Sequence, residues 1–329
     1  MIRTHDAAGR DLSALVEDFF RTTFATDNPL ITEAVRRMLA AGGKRLRPRL
    51  ALLAAEAGGG DPRAHLALAA YMELIHVGTL IHDDVVDGAQ MRRGVNATAV
   101  DYGNRVSVLA GDYLFAWIFK NVTADYPAPI PHILSATLAD ITDGEVLQLR
   151  ARGNLRLTVD GYVEIVDKKT AALFAASAEC GAITVGAPAL VCAALREYGK
   201  NLGIAFQMLD DVLDLTADEG ALGKPVGNDL RERKVTIPLI LALASGGTEL
   251  RHEAERFFSS DATSADLAAA ARLARAIVAA GGASKTHDAI EGYVERAKAA
   301  LPALGNVPAR AELGTLADGL ARDSSRRTR

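Results

Sequence analysis

The stretch PRAHLALAAYMELIHVGTLIHDDVVDGAQM, residues 62 to 91, decides the fold class. Asp61 can cap it, Pro62 suits a first helical turn, and it reads as unbroken apart from Gly78 up to about Met91. Its apolar residues recur at three- and four-residue spacing, the period of a helix rather than of a strand. Working outward, Gly and Pro punctuate the chain at Gly58 to Pro62, Tyr126 to Pro131, Arg152 to Asn154, Gly186 to Pro188, about Thr216 to Gly227, Ser245 to Gly247 and Gly281-Gly282. The segments between these breaks keep the same period and amount to roughly a dozen helices. No alternating run of β-branched residues competes for a sheet. Aromatics are only 5%, and alanine comes in blocks such as Ala268 to Ala271, which favours helices again. The expected architecture is all-α, a single domain over residues 1–329 with no low-complexity linker and a frayed polar tail at 323–329.

Composition narrows the function classes. Hydrophobic residues at 49% and charged residues at 24% are values of a folded chain with ample core, not of a disordered one. Lys plus Arg number 37 against 41 Asp plus Glu, a formal charge of -4, so no global basic field points to nucleic acid and any anion site is local. Cys180 and Cys192 lie in apolar helical stretches and can form neither a disulfide framework nor a zinc knuckle; they read as core residues. Asp6, Asp11 and Glu17 leave no secretory signal, and no uninterrupted apolar run reaches the ~18 residues of a membrane span. The expectation is a cytoplasmic protein with at most peripheral membrane contact.

One internal echo stands out. Leu80-Ile81-His82-Asp83-Asp84-Val85-Val86-Asp87 and Phe206-Gln207-Met208-Leu209-Asp210-Asp211-Val212-Leu213-Asp214 each place acids at i, i+1 and i+4, 127 residues apart. On a helix the first and last acids are offset by only about 40°, with the middle one about 100° from the first. Each trio ends an apolar run, so these carboxylates repel one another on partly buried helices unless cations offset the charge. All-oxygen donors point to Mg²⁺ rather than zinc, and Mg²⁺ with few carboxylates implies a phosphorylated ligand. A di-iron site would call for Glu-x-x-His pairs, and none occurs.

Basic clusters flank both trios. Gly42-Gly43-Lys44-Arg45-Leu46-Arg47-Pro48 sets three cations where a loop enters a helix, a natural anion cradle. Arg92-Arg93-Gly94 follows the first trio, Lys169-Thr170 stands mid-chain, and Lys224, Arg231, Arg233 and Lys234 follow the second.

These residues together resemble the trans-isoprenyl diphosphate synthases of the polyprenyl synthetase family, medium- to long-chain type, from about Gly42 to Pro238. The Gly-Gly-Lys-Arg-x-Arg-Pro stretch, both Asp-Asp-x-x-Asp motifs, Arg92-Arg93-Gly94, Lys169-Thr170, Phe206-Gln207 and Gly223-Lys224 through Lys234 match in order. The resemblance implies a helical bundle around a deep central cavity, a homodimer, and about three Mg²⁺ per active site. It implies a head-to-tail condensation of isopentenyl diphosphate with an allylic diphosphate. Asp83, Asp84, Asp87, Asp210, Asp211 and Asp214 are then the metal ligands, and the first five of these with Lys169 are the catalytic set. Arg92, Lys169 and Lys224 grip the allylic diphosphate, and Lys44, Arg47, His76 and Arg93 hold isopentenyl diphosphate. Thr170 and Gln207 line the reaction site, and Lys234 belongs to the substrate-binding group. Where such enzymes often end in an aromatic-Val-Val-x-Arg pattern, this chain has Leu316-Ala317-Asp318-Gly319-Leu320-Ala321-Arg322, so no C-terminal contribution is assigned.

Product length follows from what lies beneath the first trio. Thr79 and Gly78, four and five residues before Asp83, are small and sit about one turn below it, ~6 Å along the helix. Ile75, Met72 and Tyr71 come deeper, and Phe115, Trp117 or Phe119 from a later helix are candidates for the floor. The expected product is geranylgeranyl or longer, up to about nine units. Three alternatives stay open: a farnesyl-length synthase, a class I terpene cyclase, and a non-catalytic subunit of a heteromeric synthase.

Overall fold

The computed structural model describes residues 12–24, 26–216, 226–245, 247–259 and 267–325. Helices account for nearly all of them: α1 Leu12–Thr23, α2 Pro29–Ala40, α3 Leu46–Ala57, α4 Leu66–Val86, α5 Thr98–Asp125, α6 Ile130–Ala151, α7 Val159–Val166, α8 Ala172–Thr184, α9 Ala189–Thr216, α10 Asn228–Arg231, α11 Ile237–Ser245, α12 Thr248–Ser259, α13 Leu267–Ala279, α14 Gly282–Ala300 and α15 Pro308–Ser325. The all-α expectation holds with one small exception. Met91–Arg92 (β1) and Val95–Asn96 (β2) form an antiparallel ribbon. Arg93 and Gly94 turn the corner with φ of +51° and +82°, the two left-handed residues of a tight hairpin.

Two compact units make up the chain. The first comprises residues 1–138, 173–199 and 303–311, the second 139–172, 200–302 and 312–329. The units interleave in sequence, so no single cut in the chain separates them. In the first, α4 is apolar on nearly every side and packs along α5 and α3. Leu68, Met72, Ile75, Val77 and Ile81 are all sealed from solvent. By length and composition Pro62–Val86 could cross a membrane, yet most of it is buried within this unit. In the second, α11 packs on α14 and α13, with Ile237, Leu239 and Ile290 buried.

Two local expectations need correction. The first long helix ends at Val86, about five residues short of Met91, because Asp87 caps it and Gly88 turns with φ of +63°. The polar end expected to fray from residue 323 is helical through Ser325. There Ser324 is buried with its hydroxyl 3.0 Å from His287 Nδ1; residues 326–329 lie outside the described residues. Cys180 and Cys192 are free and buried, as expected of core residues.

Candidate active site

In the first unit the glycine loop, α4 and the ribbon bring cations together. The α3 helix begins at Leu46 immediately after the Gly42-Gly43-Lys44-Arg45 loop, so its N-terminal amides and Arg47 share one end. Arg47 is 9% exposed, stacks 4.6 Å above the Phe174 ring, and keeps a buried Nε with no hydrogen-bond partner. Burial, and then Arg93, bring its pKa down to about 10 despite Glu73. Arg93 donates to the Gly42 carbonyl. Gly43 is small for a reason: a Cβ there would meet Arg93 Nη1 at 2.7 Å. His76 on α4 is pushed well below the ordinary imidazole range, first by burial and then by Arg47, Arg93, Arg92 and Arg45. It is therefore a neutral imidazole among four arginines, able to donate one hydrogen bond without adding a fifth charge.

Arg45 holds this cluster up and is not one of its binding groups. It is 6% exposed, donates to Glu17 at 2.6 Å, to Glu73 at 2.8 Å and to the Leu39 carbonyl at 2.8 Å, and lies over the Phe20 ring. Burial opposes its charge, but Glu17 and Glu73 outweigh that and raise its pKa. Its backbone is left-handed, with φ of +48°.

The first acidic trio divides by face, as helical geometry requires. Asp83 and Asp87 are half-buried, whereas Asp84 is sealed and accepts from Arg92 Nε at 2.8 Å. Beneath them, a Cβ on Gly78 would meet the Phe115 ring at 2.7 to 2.8 Å. Thr79 donates to the His76 carbonyl, and Ile75 and Met72 are fully buried. Of the three aromatic candidates Phe115 is the one seated on Gly78; Trp117 packs on Phe24 and Tyr71.

The second unit repeats the division. Asp210 is exposed and Asp214 half-buried, while Asp211 is 2% exposed. Tyr162 donates to Asp211 Oδ2 at 2.5 Å and Gln207 donates to Oδ1 at 2.9 Å. Thr170 donates to Gln207 Oε1 at 2.9 Å. The Asp229 amide donates to Asp214 Oδ2 at 3.1 Å. Burial, then the Asp229 charge, hold Asp211 well above the carboxylate range and bring Asp214 up to about 8.

Lys169 and Thr170 sit in a π-turn, Asp167–Ala171, an irregularity frequent at functional sites. Lys169 donates to Gln148 at 2.7 Å and pairs with Glu145, both on α6. Gly144 permits this approach, since a Cβ there would lie 2.5 Å from the Lys169 amide nitrogen. Lys234 pairs with Glu232. Lys44 is exposed. Lys224 lies outside the described residues. Glu145, Gln148, Tyr162 and Asp229 were not singled out from the sequence, because an isolated side chain on a regular helix carries no motif.

The donor set fits a divalent cation. All six motif side chains offer carboxylate oxygens without imidazole or thiolate, the set Mg²⁺ takes. Ionising Asp214 and Asp211 is unfavourable in this setting, and a cation would relieve that. Among the described residues no three candidate ligands already converge.

A pH dependence follows. In the metal-free fold Asp214 holds its proton up to about 8, against 3.8 ordinarily. The folded state then binds more protons than the unfolded state in that window, so its stabilising effect is full at low pH and is lost as pH rises through about 8. Calorimetry of the metal-free chain should show stability falling between about pH 4 and 8, by on the order of several kcal/mol, and levelling off above that. Asp214→Asn should flatten the fall, and an unchanged slope in that variant would contradict the assignment.

Residues 28–274 match the family described as Polyprenyl synthetase. The chain is 41% identical over 224 residues to octaprenyl diphosphate synthase of Escherichia coli strain K12, covering 68% of this chain and 69% of that one. It is 38% identical over 291 residues to geranylgeranyl diphosphate synthase of Methanosarcina mazei, covering 87% of each. A crystal structure of a polyprenyl synthase from Caulobacter crescentus CB15, complexed with calcium and isoprenyl diphosphate, superposes with a TM-score of 0.89 at 39% identity over 94% of both chains.

Proposed function

This chain belongs to the polyprenyl synthetase family, and from that premise we propose that it joins isopentenyl diphosphate head to tail to an allylic diphosphate with Mg²⁺, giving a product of geranylgeranyl length or longer. It is a prenyltransferase. The observation that carries the site assignment is the division of each acidic trio into two accessible outer carboxylates and one buried middle one. We assign metal binding to Asp83, Asp87, Asp210 and Asp214. Asp84 and Asp211 act as anchors, for Arg92 and within the Tyr162-Gln207 pair respectively. The Caulobacter relative, crystallised with calcium and isoprenyl diphosphate, supports a divalent ion acting with a diphosphate ligand.

Bound Mg²⁺ supplies Lewis-acid stabilisation of the charge that develops on the departing diphosphate. The chain's own residues do the rest. Arg92, Lys169 and Lys224 hold the allylic diphosphate; its C–O bond ionises, and their positive charge favours the anion that leaves. Lys44, Arg47, Arg93 and neutral His76 hold isopentenyl diphosphate, with the buried Arg47 Nε available to its phosphate oxygens. Lys234 assists in substrate binding. Thr170 and Gln207 orient the reacting carbons, and the isopentenyl double bond attacks the allylic cation. A proton is then lost to the released pyrophosphate. Water must be kept from the cation, and the apolar residues below the first trio provide the dry path.

The same residues set product length. Gly78 leaves room that Phe115 fills, and Thr79, Ile75 and Met72 continue the path. The deciding experiment supplies farnesyl and isopentenyl diphosphates with Mg²⁺ and measures the chain length of the dephosphorylated product. Extension beyond farnesyl is expected. Phe115→Ala, which opens the wall opposite Gly78, should shift the distribution by one or two units toward longer products. An unchanged distribution would remove Phe115 from the path.

We further propose a homodimer. Val108, Leu109 and Tyr113 stand exposed along one stretch of α5, an apolar surface of the kind that subunit contacts cover. The assigned setting is the cytoplasm, where the chain's long apolar helix is buried in its own core.

A further inference from the structure

A line of hydrogen bonds joins the π-turn to the second acidic trio. Thr170 donates to Gln207, Gln207 donates to Asp211 Oδ1, and Tyr162 closes the line by donating to Asp211 Oδ2 at 2.5 Å. Tyr162 is 4% exposed and Asp211 2%. Both border a small cleft of about 30 Å³, room for one or two waters, whose walls also include Gln148, Gln207 and Lys234. Catalytic proximity does not explain the tyrosine. Its ring is packed away, and its hydroxyl is spent on a carboxylate that itself faces inward.

We propose that Tyr162 is a positioning residue for the second metal site: by pinning Asp211, it fixes the rotation at which the helix end presents Asp210 and Asp214. The inference rests on the metal assignment of the preceding section. On a helix the middle acid stands about 100° around from the first, so anchoring one carboxylate inward sets the direction of the other two. A buried carboxylate without its donors would turn toward the nearest cation or solvent, and the outer pair would turn with it. Two donors from different places hold it, one from α7 and one from its own helix. Neither alone defines both oxygens. The π-turn that presents Thr170 follows α7, so one continuous run of chain carries both ends of the line.

The test is Tyr162→Phe, which keeps the ring and removes the hydroxyl. Mn²⁺ binding to the full-length substrate-free protein, with inorganic pyrophosphate present, is followed by electron paramagnetic resonance. The Kd for Mn²⁺ should rise about tenfold. Turnover should fall by a similar factor, while KM for isopentenyl diphosphate, held by Arg47, Arg93 and His76, stays within twofold. A merely structural role would not split the parameters in that way. Asp211→Asn should weaken Mn²⁺ to a similar extent, and the double variant should be no weaker than the worse single one, because both changes break one interaction. If Tyr162→Phe folds poorly, Asp211→Asn with the tyrosine intact carries the test, and a Kd within twofold of wild type there overturns the proposal. Wild-type Mn²⁺ affinity in Tyr162→Phe also overturns it. A wild-type chain that neither binds Mn²⁺ with pyrophosphate nor transfers isopentenyl groups overturns the underlying assignment as well.

Discussion

Changing both Asp83 and Asp87 to Asn is expected to lower isopentenyl transfer at least about 10³-fold. These are the outer, accessible acids of the first trio, offset by only about 40° around the helix, and under the proposed assignment they would give a divalent cation its charge and its ligands on α4. Asn keeps the volume and one oxygen but removes both negative charges, so metal affinity falls together with stabilisation of the leaving diphosphate. The check is the rate of labelled isopentenyl incorporation at saturating Mg²⁺, with melting temperature measured in parallel. A loss below tenfold would deprive the metal assignment of its ligands. Asp84→Asn separates the two roles within the motif: its oxygen is committed to Arg92, so its effect should fall on allylic substrate KM more than on metal affinity.

Arg45→Met should destabilise the fold by about 3–5 kcal/mol, the cost of leaving a buried carboxylate without its partner. Glu73 is 2% exposed, and Arg45 is its ion-pair partner at 2.8 Å. The substitution also removes one of two donors to the Leu39 carbonyl, which keeps the Gly42 amide at 3.2 Å. Urea denaturation would measure the loss. Adding Glu73→Leu should restore more than half of it, because the stranded charge disappears, and failure of that rescue would mean that Arg45 acts by some other route. A loss under about 1 kcal/mol would count Arg45 among the surface cations instead.

That second prediction marks a boundary of what could be read from residue order alone. Lys44, Arg45 and Arg47 look equivalent in a run of basic residues, and the sequence-based reading put Lys44 and Arg47 on substrate. The packing shows how their settings differ: Lys44 is exposed, Arg47 lies against Phe174 with a donor to spare, and Arg45 is consumed by two carboxylates and a carbonyl. The helical class and the two acidic trios were legible because period and spacing are one-dimensional properties. The end of α4 was legible too, in the Asp87-Gly88 pair, but the long apolar pattern outweighed it. The Met91–Asn96 ribbon carried a signal in Arg93-Gly94, a turn pair whose first member is not one of the residues that usually take positive φ. Tyr162, Glu145, Gln148 and Asp229 had no such signal. Each matters through a partner tens of residues away or across a turn, and nothing in the order of residues names that partner.

The irregular winding at Asp167–Ala171 has a consequence for how this chain can vary. A π-turn is an ordinary helix with one residue too many, and loss of any one of the five would let it wind evenly. The repaired helix would bond its backbone better and keep the phase of its two halves, yet the residues inside the former turn would each move round by one place, about 100°. Lys169 could then no longer face Glu145 and Gln148 while Tyr162 still reached Asp211. Single-residue deletions in this segment should therefore yield well-folded, idle protein, a class that a screen for expression alone would score as improved.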